Sequence, residues 1–247
     1  MPAPLYVLRD PPLDGPTNMA RDEYLLYDTR LRPAVLRFYA WTPPTLSLGC
    51  FQRFAEVETL PADVRTLPVV RRPTGGGAIL HDREVTYALV IDEDRLPARA
   101  SPAELYRLVH ACWQAVLSPH VADLTLADDA FPPPHPRHGP FFCFEKPGRT
   151  DLLRGARKVL GSAQRRIPGR VLQHGSLILG RRFAPHPGGH LGEPPPALVA
   201  DWIAAFISRL AEGLNLHPEP ATWTPDQLAA VAGRRRRYES DEWTRRH

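Results

Sequence analysis

A cysteine at position 143 and a lysine at position 158 stand fifteen positions apart, and a glycine-serine pair follows directly at Gly161-Ser162. A thiol has an ordinary pKa of about 8.5, so only a small fraction is thiolate at neutral pH unless a cation lies nearby. Lys158 is a candidate for that cation and for later proton transfer. A desolvated lysine loses its proton more readily, so Lys158 is also a candidate base for the thiol's proton. Gly161-Ser162 reads as a tight turn, and with Ala163 it offers backbone N–H groups to a ligand. The second glycine-rich stretch is RRPTGGGAILHD, Arg71 to Asp82. Gly75, Gly76 and Gly77 can bring backbone amides close to a phosphate or an oxyanion. The plain alternative is a tight hairpin turn. His81 and Asp82 are placed to orient one another or a ligand. His174, followed by Gly175, is either a ligand contact or a satisfied core histidine.

Composition sharpens the lysine. The chain has 31 basic residues, of which only Lys146 and Lys158 are lysine. Where a plain positive charge suffices, this protein uses arginine, which stays protonated. A lysine therefore marks a position that needs something else. The 247 residues and 43% hydrophobic content support one sizeable core. The reading is a single catalytic domain over 1–247, with its core at about 17–214 and a helical, basic end at 224–247. A formal charge of +4 suits an acidic protein partner. It does not by itself indicate nucleic acid. No apolar run reaches membrane-span length, and the first residues lack a signal-peptide pattern. Three scattered cysteines argue against a disulfide framework and for a cytoplasmic location. Cys50 and Cys112 read as core packing. His135 and His138 lie three apart, but Pro136 between them disfavours a helix, and no metal site is expected.

The elements that must position these groups follow from periodicity. Strands are expected at 4–9, along AVLRFYAW from Ala34, along TLSLGCFQ from Thr45, at 67–72, at 84–91 and at 172–180. Thr17 and Asn18 offer N-caps for a first helix. Ser101 to Glu104 and Thr224 to Gln227 have capping-box patterns. A helix over 197–214 carries Leu198, Trp202, Phe206, Leu210 and Leu214 on one face. Gly233 is expected to end the last helix, leaving Arg234 to Arg237 as a solvated end or a docking patch. The proline-rich connector 127–142 is a lid or a plain connector, and 183–196 reads as a mobile loop. The whole is α+β, with a mixed, mostly antiparallel sheet flanked by helices.

RRPTGGGAILHD, GARKVLGSAQRR and LQHGSLIL, with NMARDEYLL and SLGCFQ before them, resemble the biotin/lipoate protein ligase superfamily. The resemblance is to its lipoate ligase and octanoyltransferase branch, and it implies that superfamily's catalytic-domain fold. Cys143-Phe144, Pro147 and Lys158 are similar to the cysteine-dependent, LipM-type octanoyltransferases in context and spacing. That resemblance implies that Cys143 takes an octanoyl group from acyl carrier protein as a thioester. It implies transfer to a lysine of a lipoyl domain or glycine-cleavage H protein, with Lys158 lowering the cysteine pKa and no cofactor required. The implied substrate-binding set is Arg72, Thr74, Gly75, Gly76, Gly77, His81, Gly161, Ser162, Ala163, His174 and Gly175. Gly77 stands where many cysteine-type members have arginine, Ala156 where glycine is usual, and Arg149-Thr150-Asp151 where tyrosine-glutamate is usual. The competing reading is an ATP- and Mg-dependent lipoate-protein ligase. A third is a non-catalytic module for a carrier protein or nucleic acid, which would not need Cys143 and Lys158 together.

Overall fold

The computed structural model describes residues 2–96, 101–131 and 140–246. His135, His138 and the middle of the 127–142 connector lie outside them. Strand β1 (Ala3–Arg9) leads into helix α1 (Gly15–Tyr27), then β2 (Ala34–Tyr39) and β3 (Thr45–Leu48). A short helix α2 (Ala62–Arg65) precedes β4 (Val69–Arg71), β5 (Ile79–His81) and β6 (Glu84–Asp92). Helix α3 (Pro102–Leu117) leads to β7 (Leu124–Leu126), β8 (Leu152–Arg154), β9 (Arg157–Ile167) and β10 (Arg170–Ile178). The chain then runs through α4 (Pro196–Gly213), β11 (Leu216–Pro220), α5 (Pro225–Glu239) and α6 (Asp241–Thr244).

Eight strands form one sheet in the order β11-β1-β2-β6-β10-β9-β8-β7, and β4-β3-β5 form a smaller one. In the large sheet only β1 pairs in parallel, with β11 and with β2; the other pairings are antiparallel. Both faces are covered, and the two-residue period sorts the side chains. Leu36, Phe38, Tyr87 and Leu89 pack toward α3 and α4, where Trp113 and Phe206 stack at 4.1 Å. Val35, Tyr39, Ala88 and Val90 face α1 and α5. Trp202, Phe206 and Leu210 of α4 are buried as the periodicity requires, and Cys50 and Cys112 are buried too. The Ser101 and Thr224 capping boxes form.

Several expectations are corrected. Helix α1 is capped by Asp14, whose carboxylate accepts from Thr17 N at 2.8 Å. Asn18 lies inside the helix, and its amide donates to Leu13 O and Ala40 O. Gly161-Ser162 is no turn but the middle of β9, paired with Ser176 and Gly175 of β10. Helix α5 runs through Gly233 to Glu239, because Val231 and Tyr238 bury on the α1 side. Its arginines are largely engaged within the chain. Arg235 pairs with Asp14 and Glu239, while Arg237 pairs with Glu23 and lies over Trp243. The 183–196 loop is tied to the sheet through Gly189 N to Lys158 O, Leu191 N to Ile178 O and Glu193 N to Leu179 O. No helix among the described residues is long and apolar enough to cross a membrane.

Beneath α1 the sheet carries a buried charge. Arg37 is fully buried and reaches Asp10 and Asp22 at 2.6 Å each, with Asn18 Oδ1 at 2.7 Å. Removing one member of such a cluster strands the others in a low-dielectric site. Arg37→Leu is expected to lower unfolding stability by about 3–5 kcal/mol in a denaturant titration. A loss below about 1 kcal/mol would mean that the carboxylates find other partners.

Candidate active site

The glycine stretch and the cysteine loop meet through their backbones. Ala78 N donates to Phe141 O at 2.7 Å, and Cys143 N donates to Ala78 O at 2.9 Å. This bridge sets Cys143 in place. A Cβ on Gly77 would lie 2.8 Å from Cys143 N and 2.9 Å from Phe141 O, so a side chain at 77 would push the loops apart. The glycine loop is folded from within by Arg72. Its guanidinium is buried and donates to Gly75 O at 2.7 Å, Gly77 O at 2.8 Å and Thr74 Oγ1 at 3.2 Å.

Lys158 enters from β9 below Cys143. Its Nζ donates to Cys143 Sγ and Cys143 O, both at 3.3 Å, and pairs with Asp151 at 2.9 Å. The residue is only 4% exposed. Burial works against its charge, but Asp151 and Cys143 outweigh burial and hold the ammonium above its ordinary value of 10.5. Lys158 is therefore a resident cation, not the base that desolvation alone would make it. Asp151 is fixed in turn by Gly148 N at 2.8 Å. Gly161 is bare for this ammonium: a Cβ there would sit 2.2 Å from Lys158 Cε.

A narrow cavity, partly open to solvent, lies beside the thiol. Its walls include Cys143, Gly161, Ser176, Thr86, Tyr39, Trp41 and Met19. Gly161, Ser176, Thr86 and Tyr39 lie in register across β9, β10, β6 and β2. Four strands give three spacings, so this row of residues spans about 14 Å. The row carries hydroxyls, yet it is not a polar groove. Ser176 Oγ donates to Glu84 at 2.6 Å and Thr86 Oγ1 donates to it at 2.5 Å, while Trp41 Nε1 donates to Thr86 Oγ1 at 2.8 Å. Glu84 takes up the polar atoms from below and leaves hydrocarbon facing the space. Burial raises the cost of its charge, but His81, Ser176 and Thr86 hold its carboxyl below the usual range.

Two buried histidines brace the trough. His81 Nδ1 meets Glu84 at 2.6 Å and its Nε2 meets Ser47 Oγ at 2.8 Å, with the ring stacked on Trp41. Burial lowers its pKa against the pull of Glu84. The expected His81–Asp82 pairing does not occur, since Asp82 is held by Arg182. His174 meets Asp22 at 2.9 Å and Thr74 Oγ1 at 2.7 Å. Ser47 and Thr74 both contact Arg72, so both histidine pairs end on the guanidinium that folds the glycine loop.

Of the expected set, Arg72, His81, Cys143, Gly161, Ser162, Ala163, His174 and Gly175 line the cavity. Thr74, Gly75, Gly76, Gly77 and Lys158 stand behind or beside that wall. Ser162 Oγ is bound to Tyr87 OH and to His110 Nε2, each at 2.6 Å. Burial pushes the pKa of His110 down to about 4. Gly175 makes room for this cluster, because a Cβ would meet Ser162 Oγ at 2.3 Å. Asp151, Glu84, Ser47 and Asp22 were not anticipated. Asp151 alone gave a signal, as a carboxylate between Cys143 and Lys158 in the chain. Among the described residues no cluster of three or more His, Cys, Asp or Glu is placed to hold a metal.

Solved structures define the class of the fold. A putative lipoate protein ligase from T. acidophilum with bound lipoic acid aligns with TM-score 0.77 at 18% identity, over 99% of both chains. A lipoate-protein ligase A bound with ATP aligns at 0.74 and 18%, again over 99% of both. This is a lipoate ligase-like fold. The lipoyl protein ligase A/B catalytic domain model matches residues 14–184, and the chain belongs to that family. Its curated relatives include octanoyltransferase LipM of Halalkalibacterium halodurans, 35% identical over 93% of this chain and 94% of that protein. The LipM of Moorella thermoacetica is 40% identical over 72% and 67%, and that of Bacillus subtilis 31% over 92% of each.

Asp151→Asn removes the charge that offsets the burial of Lys158. The ammonium then loses its proton at lower pH, so the alkaline limb of any Cys143 acylation profile should move down by at least about one pH unit. An unmoved limb would show that Asp151 does not hold the lysine charged.

Proposed function

We propose that this protein is an octanoyltransferase of lipoate biosynthesis that works through a thioester on Cys143. The observation that carries the reading is Lys158 Nζ lying 3.3 Å from Cys143 Sγ with Asp151 on its other side. A thiolate formed there meets a permanent cation, and the sulfur lies at a mostly apolar cavity wall. The LipM relatives support the octanoyl group. The donor is octanoyl-acyl carrier protein, and the acceptor is a lipoyl domain or a glycine-cleavage H protein.

The steps use this chain's own groups. Cys143 attacks the donor thioester carbonyl; its C–S bond forms, the donor C–S bond breaks, and the thiol proton ends on the donor sulfur. The neutral amine of the acceptor lysine then attacks the acyl-enzyme. A C–N bond forms, the Cys143 C–S bond breaks, and the amine proton returns to the sulfur. Both steps exchange an activated acyl group, so neither needs ATP or a metal. Gly77 does not favour the ligase alternative, since its bare backbone is accounted for by contact with Cys143.

Mixing the protein with octanoyl-acyl carrier protein, without ATP, should give one hydroxylamine-sensitive octanoyl adduct by intact mass. Cys143→Ala should give none, and Lys158→Arg should slow its formation. Transfer that appears only with ATP and free octanoate, and survives Cys143→Ala, would establish the ligase instead.

A further inference from the structure

Phe51 is 81% exposed, the most exposed large hydrophobic side chain among the described residues. It sits on a turn fixed to the active site from several sides. Gln52 Nε2 donates to Phe141 O, two residues before Cys143, and Gln52 Oε1 accepts from Gly49 N, each at 2.9 Å. Arg71 Nη1 donates to Gly49 O at 3.0 Å and Gln52 O at 2.7 Å. The Phe51 ring also faces Gly75 of the glycine loop: a Cβ there would lie 3.9 Å from it. A large apolar side chain held outward on a rigid turn, beside the mouth of a reactive site, is the form of an interface anchor.

Three arginines lie along or against the segments next to this ring. Arg53 follows two residues later and is exposed. Arg165 Nη1 donates to Pro73 O at 3.3 Å, and Arg246 Nη2 donates to Cys50 O at 3.1 Å. Among the described residues, none of Arg53, Arg165 and Arg246 has a carboxylate within ion-pair distance. The arginines of α5 differ in this respect, being taken up by Asp14, Glu23 and Glu239. Three arginines left without carboxylates around an exposed phenylalanine complement an acidic protein surface with an apolar recess.

We propose that Phe51, with Arg53, Arg165 and Arg246, forms the docking surface for the acidic domain that carries the acceptor lysine. This rests on the acyl-transfer reading above. Reach separates acceptor from donor. The nucleophile of the second step is a lysine on a folded domain, so that domain must come within one side chain of Cys143. The Phe51 turn is bonded to the cysteine's own loop, and a domain seated on it lies within that reach. A donor that presents its acyl group on a long flexible thiol arm has no such constraint. The arginines speed encounter and set orientation, and Phe51 supplies the buried contact.

The test uses the full chain and an unacylated lipoyl domain. Three quantities are read: binding of the domain by fluorescence anisotropy, loading of Cys143 from octanoyl-acyl carrier protein, and transfer from the loaded enzyme. Phe51→Ser and Arg53→Glu alter exposed side chains outside the catalytic machinery. Each should load within about twofold of the unaltered protein, yet bind and transfer at least about tenfold less well. Binding by the unaltered protein should weaken between about 50 and 300 mM salt, and that dependence should flatten in Arg53→Glu. Binding and transfer within about twofold of the unaltered protein would overturn the proposal, and so would loading that falls as far as transfer, which would assign the surface to the donor. If the unaltered protein forms no thioester, the acyl-transfer reading fails, and the binding arm still decides the docking surface.

Discussion

A buried ammonium without a counter-charge is not stable in a protein interior, and the active site is built around meeting that requirement for Lys158. Asp151 lies on one side and the sulfur of Cys143 on the other. Gly161 has no side chain because the lysine crosses it. The carbonyl of Lys158 accepts from Gly189, which draws the 183–196 loop over the same strand. The arrangement fixes the protonation state of the lysine and supplies the charge that a thiolate needs. Lysine suits this place better than arginine because its charge is a compact point on a flexible stem, which fits between a carboxylate and a sulfur.

A second constraint is hydrocarbon. The trough beside Cys143 crosses strands that contribute Ser176 and Thr86, residues that would ordinarily invite water. Glu84 prevents this by accepting from both hydroxyls, and it is itself held by His81. The polar network faces inward and the methyl and methylene groups face the cavity. The same network passes through Ser47 to Arg72, and through Arg72 to the carbonyls of Gly75 and Gly77. The wall of the trough and the loop that seats Cys143 are therefore one hydrogen-bonded unit, and a change in either is felt by the other.

Much of this was legible in the sequence, and the limits have physical causes. Cys143 and Lys158 stood out because lysine is rare in this chain and because their context and separation resemble those of the cysteine-type octanoyltransferases. The strands and capping boxes followed from period and side-chain chemistry. Gly161-Ser162 was misread because glycine in a strand and glycine in a turn look alike in one dimension; only the path of Lys158 shows why the strand is bare there. Gly233 was taken as a stop because the helical propensity of glycine is poor, but packing of Val231 and Tyr238 carries α5 past it. Asp151 and Glu84 were missed as site residues. Their roles arise from pairing across the sheet, and no local pattern encodes which strands become neighbours. Gly77 stood where many cysteine-type members have arginine, and the contact with Cys143 N gives it a structural reason.

The central claim is that Lys158 charges Cys143 for attack, and it can be tested without donor or acceptor. Cys50 and Cys112 are buried, so alkylation by iodoacetamide at neutral pH reports mainly on Cys143, with peptide mass analysis confirming the site. The protein is expected to alkylate clearly faster than its Lys158→Met variant, since the ammonium 3.3 Å from the sulfur favours the thiolate. Equal rates in the two proteins, both folded, would contradict the account.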